Sequence, residues 1–210
     1  MGIEVPAPVR SALVAALHGA EGDLDGLRRT DPAGWHVTLA FVGPLPDDRV
    51  PALRDAVAAA VAGRPPEGGS PAAAGAAAAA GAGAFGTAAA GRLPAQLTID
   101  GAGRFGSQVL FYALTDEPAG ALARLGERIQ LAIERSGLPV DRRAVRPHLT
   151  VARGRRSRPV TDDDVRALRA TVSGQPPVRW RTEAVALYRA VDRDGPARYE
   201  VEVSVPLSGG

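Results

Sequence analysis

Two stretches of the chain alternate between polar or small residues and apolar residues, and both follow the same pattern. Residues 36–40 read His-Val-Thr-Leu-Ala, and residues 148–152 read His-Leu-Thr-Val-Ala. Along a β-strand, residues two apart lie on one face. Each stretch therefore presents a histidine and a threonine on one face and apolar side chains on the other. The alternation predicts strands over His36–Val42 and His148–Ala152.

Apolar residues at helical spacing predict four helices elsewhere in the chain. One follows Pro8, one follows Asp47, the longest covers Pro118–Ser136, and the last begins at Thr161. The side chains of Thr161 and Asp164 fit a capping box, which marks the start of that last helix.

Further strand-like segments are Gly2–Val5, Gln96–Asp100, Val109–Leu114, an interrupted stretch over Val178–Val191, and Tyr199–Val205. A glycine-rich turn over Gly101–Gly106 is expected to join the second and third of these as a hairpin, and a turn over Asp192–Gly195 to join the last two. The chain is thus predicted to mix strands and helices.

The likeness between the two halves extends past the histidine stretches. The pattern Asp-Asp-x-Val-x-Ala-Leu-Arg-x-x-Val begins at Asp47 and occurs again at Asp162. Each half thus contains a His-Thr strand, a turn and a helix that begins with acidic residues. Two copies of one unit indicate a pseudo-twofold arrangement. If the two strands lie side by side or face each other, both His-Thr faces can line one cleft.

Two histidines across a cleft suit phosphodiester chemistry without a metal ion. One neutral imidazole takes a proton from the attacking oxygen, and the other, protonated, gives one to the leaving oxygen. A reference pKa of about 6.5 lets both forms exist near neutral pH. Threonine hydroxyls can donate to phosphate oxygens, where negative charge builds up. The third histidine of the chain, His18, falls near a helix end and is interpreted as an exposed surface residue.

Other interpretations of these motifs are weaker. A lone His-x-Thr on a strand is usually a surface pair, and its repetition is what favours a function. No His-x-His, His-Glu-x-x-His or carboxylate cluster accompanies either histidine, which disfavours a metal site. The glycines at 101, 103 and 106 match the letters of a dinucleotide-binding loop, but a strand-like segment follows where a helix is required.

Three aromatic residues lie close to these motifs. Trp35 and Phe41 flank the first stretch and could stack on a base. The alternation places Phe41 on the buried face, which favours a core role, while Trp35 fits either role. Phe105, in the predicted glycine turn, is a candidate for the edge of the cleft.

The basic side chains other than histidine are all arginines, and the formal net charge is +2. Arginine binds phosphate oxygens with a planar fork, although arginine in place of lysine also fits a GC-rich coding sequence. Cysteine is absent, which excludes disulfides, a thiol nucleophile and cysteine-bound zinc.

From Gly63 to about Pro94 the sequence is a low-complexity run of alanine, glycine and proline, which predicts a mobile insertion in a loop. Its uncharged part, Ala72–Ala90, lacks the leucine, isoleucine and valine of a spanning helix. The N-terminus does not resemble a signal peptide, and no heptad seam appears. A cytoplasmic monomer with no membrane contact is therefore expected.

The paired His-x-Thr motifs resemble those of the two-histidine (2H) phosphoesterase superfamily. Their longer contexts, His36–Gly43 and Arg146–Arg153, resemble its bacterial RNA 2′,3′-cyclic phosphodiesterase branch, also known as 2′-5′ RNA ligase. The Tyr199–Val201 strand and the Leu138–Arg143 loop fit the same branch. The resemblance covers nearly the whole chain apart from the insertion, and it is the pair of motifs that makes it specific.

The resemblance implies an α+β fold that is two-lobed and pseudo-symmetric, with antiparallel sheets lining a central cleft and helices outside. It implies a single domain over residues 1–210, interrupted by the insertion at about 63–94. It also implies hydrolysis of 2′,3′-cyclic phosphate RNA ends to 2′-phosphates, with no metal or other cofactor. In that reaction His36 would be the proton donor and His148 the proton acceptor, while Thr38, Thr150 and Arg153 would bind the phosphate.

Two alternatives remain open: a 2′-5′ oligonucleotide phosphodiesterase or ligase, and a non-catalytic module that binds RNA ends. The presence of both histidines and both threonines argues against the binding module. The chain also departs from the family in two places. Only Ile3–Val5 remains of a first strand that is normally complete, which is expected to lower stability, and the insertion is longer than expected.

Overall fold

The computed structural model describes residues 1–20, 22–63, 94–191 and 198–207, where an antiparallel sheet is accompanied by four helices. Residues 64–93, and with them nearly all of the predicted insertion and the Ala72–Ala90 segment, lie outside the described residues, as does the predicted turn over Asp192–Gly195. No helix in the described ranges has the length and apolar character that crossing a bilayer requires.

The strands, in chain order, are β1 (Gly2–Glu4), β2 (Arg28–Arg29), β3 (His36–Thr38), β4 (Gln96–Phe105), β5 (Val109–Glu117), β6 (His148–Arg153), β7 (Arg179–Arg181), β8 (Ala184–Val191) and β9 (Arg198–Pro206). The helices are α1 (Ala7–His18), α2 (Val50–Val61), α3 (Ala121–Arg135) and α4 (Asp162–Ala170). Short 3-10 turns cover Gly22–Leu24, Pro32–Gly34 and Asp47–Arg49. The four predicted helices, the β4–β5 hairpin and the interruption between β7 and β8 are confirmed.

The two histidine strands lie side by side in the middle of the sheet. In spatial order the strands are β7, β4, β5, β6, β3, β1, β8 and β9, and β2 pairs with β6 off this path. The chain passes through β1, α1, β3 and α2 in one half and through β5, α3, β6 and α4 in the other. The predicted pseudo-symmetric α+β fold is therefore confirmed, although the described strands form one continuous sheet rather than separate sheets.

The apolar face of the histidine strands belongs to the main hydrophobic core. Val37 and Leu149 are fully buried there, together with Leu125, Ile129 and Ile133 of α3. Burying one such side chain stabilises the fold by about 1.5–3 kcal/mol. The core therefore fixes the two strands from one side and leaves their histidine face open to other contacts.

The first histidine strand is shorter than predicted. β3 ends at Thr38 rather than at Val42, because the following residues leave the ladder. The N–H groups of Leu39 and Ala40 donate to the carbonyl of Met1 at 3.0 and 3.3 Å. Strand alternation therefore no longer decides the direction of the side chains beyond that point.

The prediction of a glycine-rich turn over Gly101–Gly106 is wrong. β4 continues through this segment to Phe105, and the hairpin turn covers residues 106–108. Gly101 has a φ of 100° and lies where the pairing of β4 with β5 shifts, between Ile99 and Ala102. Glycine at positive φ permits a β-bulge inside a strand. Glycine often marks a turn in a sequence, but in β4 it forms a bulge that bends a long strand.

The repeated acidic motif begins its two helices in different ways. At α4 the predicted capping box is present: the N–H of Asp164 donates to Thr161 Oγ1, and the N–H of Thr161 donates to Asp164 Oδ2 at 2.7 Å. In the copy before α2, Arg49 stands where Asp164 stands in the other half, and Asp47–Arg49 forms a 3-10 turn. An arginine cannot accept the hydrogen bonds of a capping box, so only α4 has one.

Candidate functional site

The pairing of β3 with β6 brings the two His-x-Thr segments together. Val37 lies opposite Leu149, and in an antiparallel pair this places His36 opposite Thr150 and Thr38 opposite His148. Residues directly opposite each other project from the same face. The four side chains therefore form a quadrilateral, with the two histidines on one diagonal, roughly 7–8 Å apart at their Cα atoms.

A cavity of about 850 Å³ is lined by His36, Thr38, Thr150 and Arg153. His148 is not part of its lining, although the register places it on the same face of the sheet. The structure thus brings three members of the quadrilateral into one cavity and places the fourth beside it.

Arg153 reaches this cavity because β6 has one more residue than the segment of β5 with which it pairs. Thr150 and Ala152 lie opposite consecutive residues of β5, so Val151 is the additional residue of a β-bulge. Strict alternation would place Arg153 on the core face, with Val151. The bulge reverses the alternation, and Arg153 therefore lies on the same face as Thr150.

Both histidines make the same hydrogen bond to the main chain. Nδ1 of His36 donates to the carbonyl of Gly34 at 2.8 Å, and Nδ1 of His148 donates to the carbonyl of Arg146 at 2.6 Å. A carbonyl can only accept, so Nδ1 carries the proton in both rings. Nε2 is therefore the nitrogen available for proton exchange in each half.

Each histidine also contacts two aromatic rings. His36 stacks on Tyr188 of β8 with the ring centroids 4.3 Å apart, and it meets the edge of Tyr199 of β9 at 5.1 Å. The sequence associates Tyr199 with the family only through its strand, and it gives no sign that Tyr188 stacks on a histidine far earlier in the chain. Only the pairing of β8 with β1 brings the two together.

The rings around His148 are phenylalanines. Phe105 and Phe111 meet its imidazole at centroid distances of 4.9 and 5.2 Å, and they contact each other at 4.3 Å. Phe105 is the residue that the sequence proposes for the cleft edge, whereas nothing in the sequence singles out Phe111. Gly103 makes room for Phe111, because a Cβ on that glycine would lie 2.7 Å from the phenyl ring.

The surroundings lower the pKa of both histidines. Burial lowers the pKa of His36 to about 4, and the positive charges of the Met1 amino group, His148 and Arg153 add to the effect. Burial also lowers the pKa of His148, with a further contribution from Arg153. Without an anion in the site, both imidazoles are therefore mostly neutral at pH 7.

Trp35 holds the loop before β3 in place. Its side chain is only 3% exposed, and its Nε1 donates to Thr30 Oγ1 at 2.9 Å. Thr30 Oγ1 in turn donates to the carbonyl of Thr150 at 3.0 Å. Of the two roles that the sequence leaves open for Trp35, the structure supports the structural one, because no face of the ring is free to stack on a base.

The core position predicted for Phe41 is wrong. The side chain is 59% exposed and lines the cavity. The prediction extends strand alternation to residue 41, but β3 ends at Thr38. Phe41 therefore stays accessible beside the site, as base stacking would require.

Two residues fix the histidine strands from outside the quadrilateral. A Cβ on Gly2 would lie 2.5 Å from the carbonyl oxygen of Val37 and 3.0 Å from Cδ2 of His36, so only glycine leaves the ring its space. On the other side, Nε2 of the buried Gln130 donates to the carbonyls of Leu39 and Arg143 at 3.2 and 3.1 Å. That side chain connects the segment after β3 with the segment before β6.

Among the described residues, no group of three or more His, Cys, Asp or Glu side chains is arranged to hold a metal ion. The groups that surround the quadrilateral are hydroxyls, aromatic rings and arginines. Such a set can exchange protons and bind an anion.

A pseudo-symmetric α+β sheet with paired His-x-Thr strands is the architecture of a two-histidine phosphoesterase. The sequence profile of the 2′-5′ RNA ligase superfamily matches residues 8–194, and the chain belongs to that family. This is a family of enzymes that act on phosphodiester bonds, with RNA or oligonucleotides as substrates. No curated protein sequence matches the chain.

Solved structures share the fold at low sequence identity. LigT of E. coli, in complex with 3′-AMP, has a TM-score of 0.64 and 20% identity, with 99% of this chain and 95% of that one covered. A structure described as a phosphoesterase has a TM-score of 0.64, 22% identity and coverage of 99% and 95%. A protein of Thermus thermophilus has a TM-score of 0.62, 22% identity and coverage of 99% and 96%. The likeness thus extends over nearly the whole length of each chain.

Proposed function

We propose that this enzyme hydrolyses RNA ends that carry a 2′,3′-cyclic phosphate and leaves a 2′-phosphate. The observation that carries the proposal is the diagonal pair His36 and His148, each with Nδ1 bound to a main-chain carbonyl. Two imidazoles with Nε2 available on either side of a phosphate are the minimum that acid–base cleavage of a phosphodiester needs.

In this reaction a water oxygen attacks the phosphorus while His148 Nε2 takes its proton. The bond from phosphorus to the 3′ oxygen breaks, and His36 Nε2 gives a proton to that oxygen, which becomes a 3′ hydroxyl. The phosphate stays on the 2′ oxygen. Which histidine donates and which accepts follows the family resemblance, since the quadrilateral itself is nearly symmetric.

The phosphate needs donors where its negative charge increases. Thr38 and Thr150 occupy the second diagonal of the quadrilateral, and their hydroxyls can donate to the two non-bridging oxygens. Arg153, brought to the same face by the bulge, adds a permanent positive charge. These groups would hold the phosphate between the two histidines.

The proton on His36 has to arrive with the substrate. At neutral pH burial keeps this imidazole mostly uncharged, since its pKa is lowered to about 4. A nearby negative charge favours the charged form of a histidine and raises its pKa. Binding of the anionic phosphate would therefore prepare His36 to act as the donor.

Hydrolysis or ligation of 2′-5′ phosphodiester linkages is the second candidate, and it is favoured by the family to which the chain belongs. In the ligation direction a 5′ hydroxyl takes the place of water, and the same two imidazoles act in the same order. Structures of the E. coli LigT neighbour with 3′-AMP and with phosphate support a phosphate-binding role for this fold.

A short RNA with a 2′,3′-cyclic phosphate end, incubated in excess EDTA, tests the proposal. Conversion to a 2′-phosphate end supports metal-free hydrolysis, whereas conversion only after a divalent metal ion is restored would contradict the two-histidine mechanism. Tight binding without conversion under either condition would favour a module that binds RNA ends. An RNA with one 2′-5′ linkage, assayed in parallel, distinguishes the second candidate.

A further inference from the structure

Two arginines in the lining of the cavity face each other across neighbouring strands. Arg28 of β2 lies directly opposite Arg153 of β6, and both side chains line the cavity. Directly opposite residues lie roughly 4.5–5.5 Å apart at their Cα atoms. Like charges in such a pair destabilise a sheet, so the pair has a cost that no contact within the sheet explains.

Neither guanidinium forms an ion pair with any residue that the structure describes. Seven other arginines among the described residues do form one: Arg54, Arg104, Arg142, Arg143, Arg158, Arg166 and Arg189. Asp31 also lines the cavity, but its Oδ1 accepts from the N–H of Ala33. The charges of Arg28 and Arg153 are therefore left for an anion from outside.

Hydrogen bonds to the main chain of β6 hold the segment that carries Arg28. The N–H of Thr30 donates to the carbonyl of Val151, and Thr30 Oγ1 donates to the carbonyl of Thr150, both at 3.0 Å. Trp35 fixes the same hydroxyl. The segment that carries Arg28 is thus attached directly to the bulged part of β6 that carries Arg153.

We propose that Arg28 binds a second phosphate, the one on the 5′ oxygen of the terminal nucleoside, while Arg153 contacts the reacting phosphate. In RNA this second group is the internucleotide phosphate that precedes the cyclic end, and one ribose separates the two groups. Arginines on adjacent strands can each engage one of them. The enzyme would therefore prefer oligonucleotides over nucleoside 2′,3′-cyclic monophosphates, a preference that rests on the proposed function.

The test compares two substrates and four forms of the protein. The substrates are a nucleoside 2′,3′-cyclic phosphate and a dinucleotide that ends in the same group. We expect Arg28→Gln to lower kcat/KM for the dinucleotide about 10- to 100-fold, as loss of a charged hydrogen bond does, and to change it less than about twofold for the mononucleotide. Arg28→Lys should retain part of the preference. Arg156→Gln, an exposed arginine outside the cavity lining, is the matched control and should change neither value.

Equal losses on both substrates, or no loss on the dinucleotide, would overturn the proposal. A binding measurement separates it from the proposed function. The affinity of the wild type for a dinucleotide with a 2′-phosphate end should exceed that for a nucleoside 2′-phosphate and depend more steeply on salt. Arg28→Gln should reduce the salt slope by about 0.7, the contribution of one phosphate contact on a single strand. An unchanged slope and affinity would refute the role of Arg28, whether or not the enzyme turns over.

Discussion

His36 and His148 occupy equivalent places in the two halves of the sheet, and each donates from Nδ1 to the carbonyl two residues earlier. Around His36 lie two tyrosines, and around His148 two phenylalanines. Only the second half has a bulge that brings an arginine to the histidine face. The two halves therefore share the same backbone arrangement, but the side chains around the two histidines differ.

The comparison shows how a symmetric frame can support two unequal roles. Acid–base catalysis needs one imidazole protonated and the other neutral, which identical surroundings would not favour. Environments that give two titratable groups different proton affinities allow such a division. The unequal rings give the two imidazoles different surroundings here without changing the strands themselves, whereas Arg153 lowers the pKa of both.

Removing either histidine is the strongest test of the pair. We expect His36→Ala and His148→Ala each to lower turnover of a cyclic-phosphate RNA by about 10²–10⁴, because each removes one proton transfer. His18→Ala, on the surface at the end of α1, serves as the control and should leave turnover unchanged. Full turnover in either test variant would remove that histidine from the mechanism.

The pH dependence of kcat/KM is the next test, because it reports the two histidines of the free enzyme. The pKa of His36 is lowered to about 4 and that of His148 lies below the usual value of about 6.5. The optimum should therefore lie on the acid side of neutrality, with activity falling about tenfold per pH unit well above it. A flat profile between about pH 5 and 9 would contradict two-imidazole catalysis.

Variants in the aromatic neighbours can sharpen this result. Tyr188→Ala removes the ring stacked on His36, and Phe111→Ala removes a ring beside His148. Each variant should bring its own histidine into contact with water and move one limb of the pH profile toward neutral pH. If both variants moved the same limb of the pH profile, the assignment of one limb to His36 and the other to His148 would be wrong.

A methyl group added at Gly2 should disturb the strands around His36 and leave those around His148 unchanged. In Gly2→Ala the new Cβ meets the Val37 carbonyl oxygen at 2.5 Å, so β1 or β3 must shift. We expect about a tenfold lower kcat/KM and a free energy of unfolding lower by about 1–3 kcal/mol. Gly22→Ala, where a Cβ would have no neighbour within 4 Å, is the control for adding a methyl group. A crystal structure with His36 in its original place would contradict this explanation.

The smallest expected effect is on stability. The pKa of His36 is about 4 in the folded protein and about 6.5 in an unfolded chain, so the unfolded chain binds more protons between these values. The free energy of unfolding should therefore decrease as the pH falls from about 6.5 to 4. His36→Gln should reduce this decrease by about 1–2 kcal/mol, a value discounted because the ring is only half-buried. Denaturant unfolding of both proteins at about pH 7 and about pH 4.5 measures it, and equal pH dependence would contradict the assignment.

The parts of the fold that could be predicted are those with a local signal. The stripe of α3 and the capping box at Thr161 depend on residues three or four positions apart. The His-x-Thr alternation correctly indicates two strands with one apolar face, of which Val37 and Leu149 are buried members. Their repetition along the chain was enough to predict a pseudo-twofold arrangement.

The features that sequence reasoning missed depend on pairing between distant segments. Phe41 is exposed because the chain no longer pairs as a strand after Thr38, and the N–H groups of Leu39 and Ala40 both donate to the carbonyl of Met1. Gly101 bends a strand because β5 lies beside it. Arg28 and Tyr188 join the site through neighbouring strands, and no spacing in the sequence reports such contacts. The strand face of residues within a motif was therefore accessible to prediction, and the neighbours contributed by other strands were not.

The first strand is short, but it is paired along both of its edges. β1 has three residues where its counterpart β5 has nine, yet it pairs on both sides, with β3 and with β8. Ile3 at its centre is only 1% exposed. A lower stability than that of relatives with a longer first strand stays a prediction.

The extra residue in β6 also bears on how two copies of one ancestral unit can diverge. A gain of one residue that the sheet absorbs as a bulge, as at Val151 in β6, leaves the later side chains on their faces. The same gain without a bulge would move every later side chain of the strand to the opposite face. A change in length by one codon can thus move the side chains that face the substrate to the core, and those that face the core to the substrate. Gene duplication followed by such a step would produce specialised halves without any replacement of the histidines.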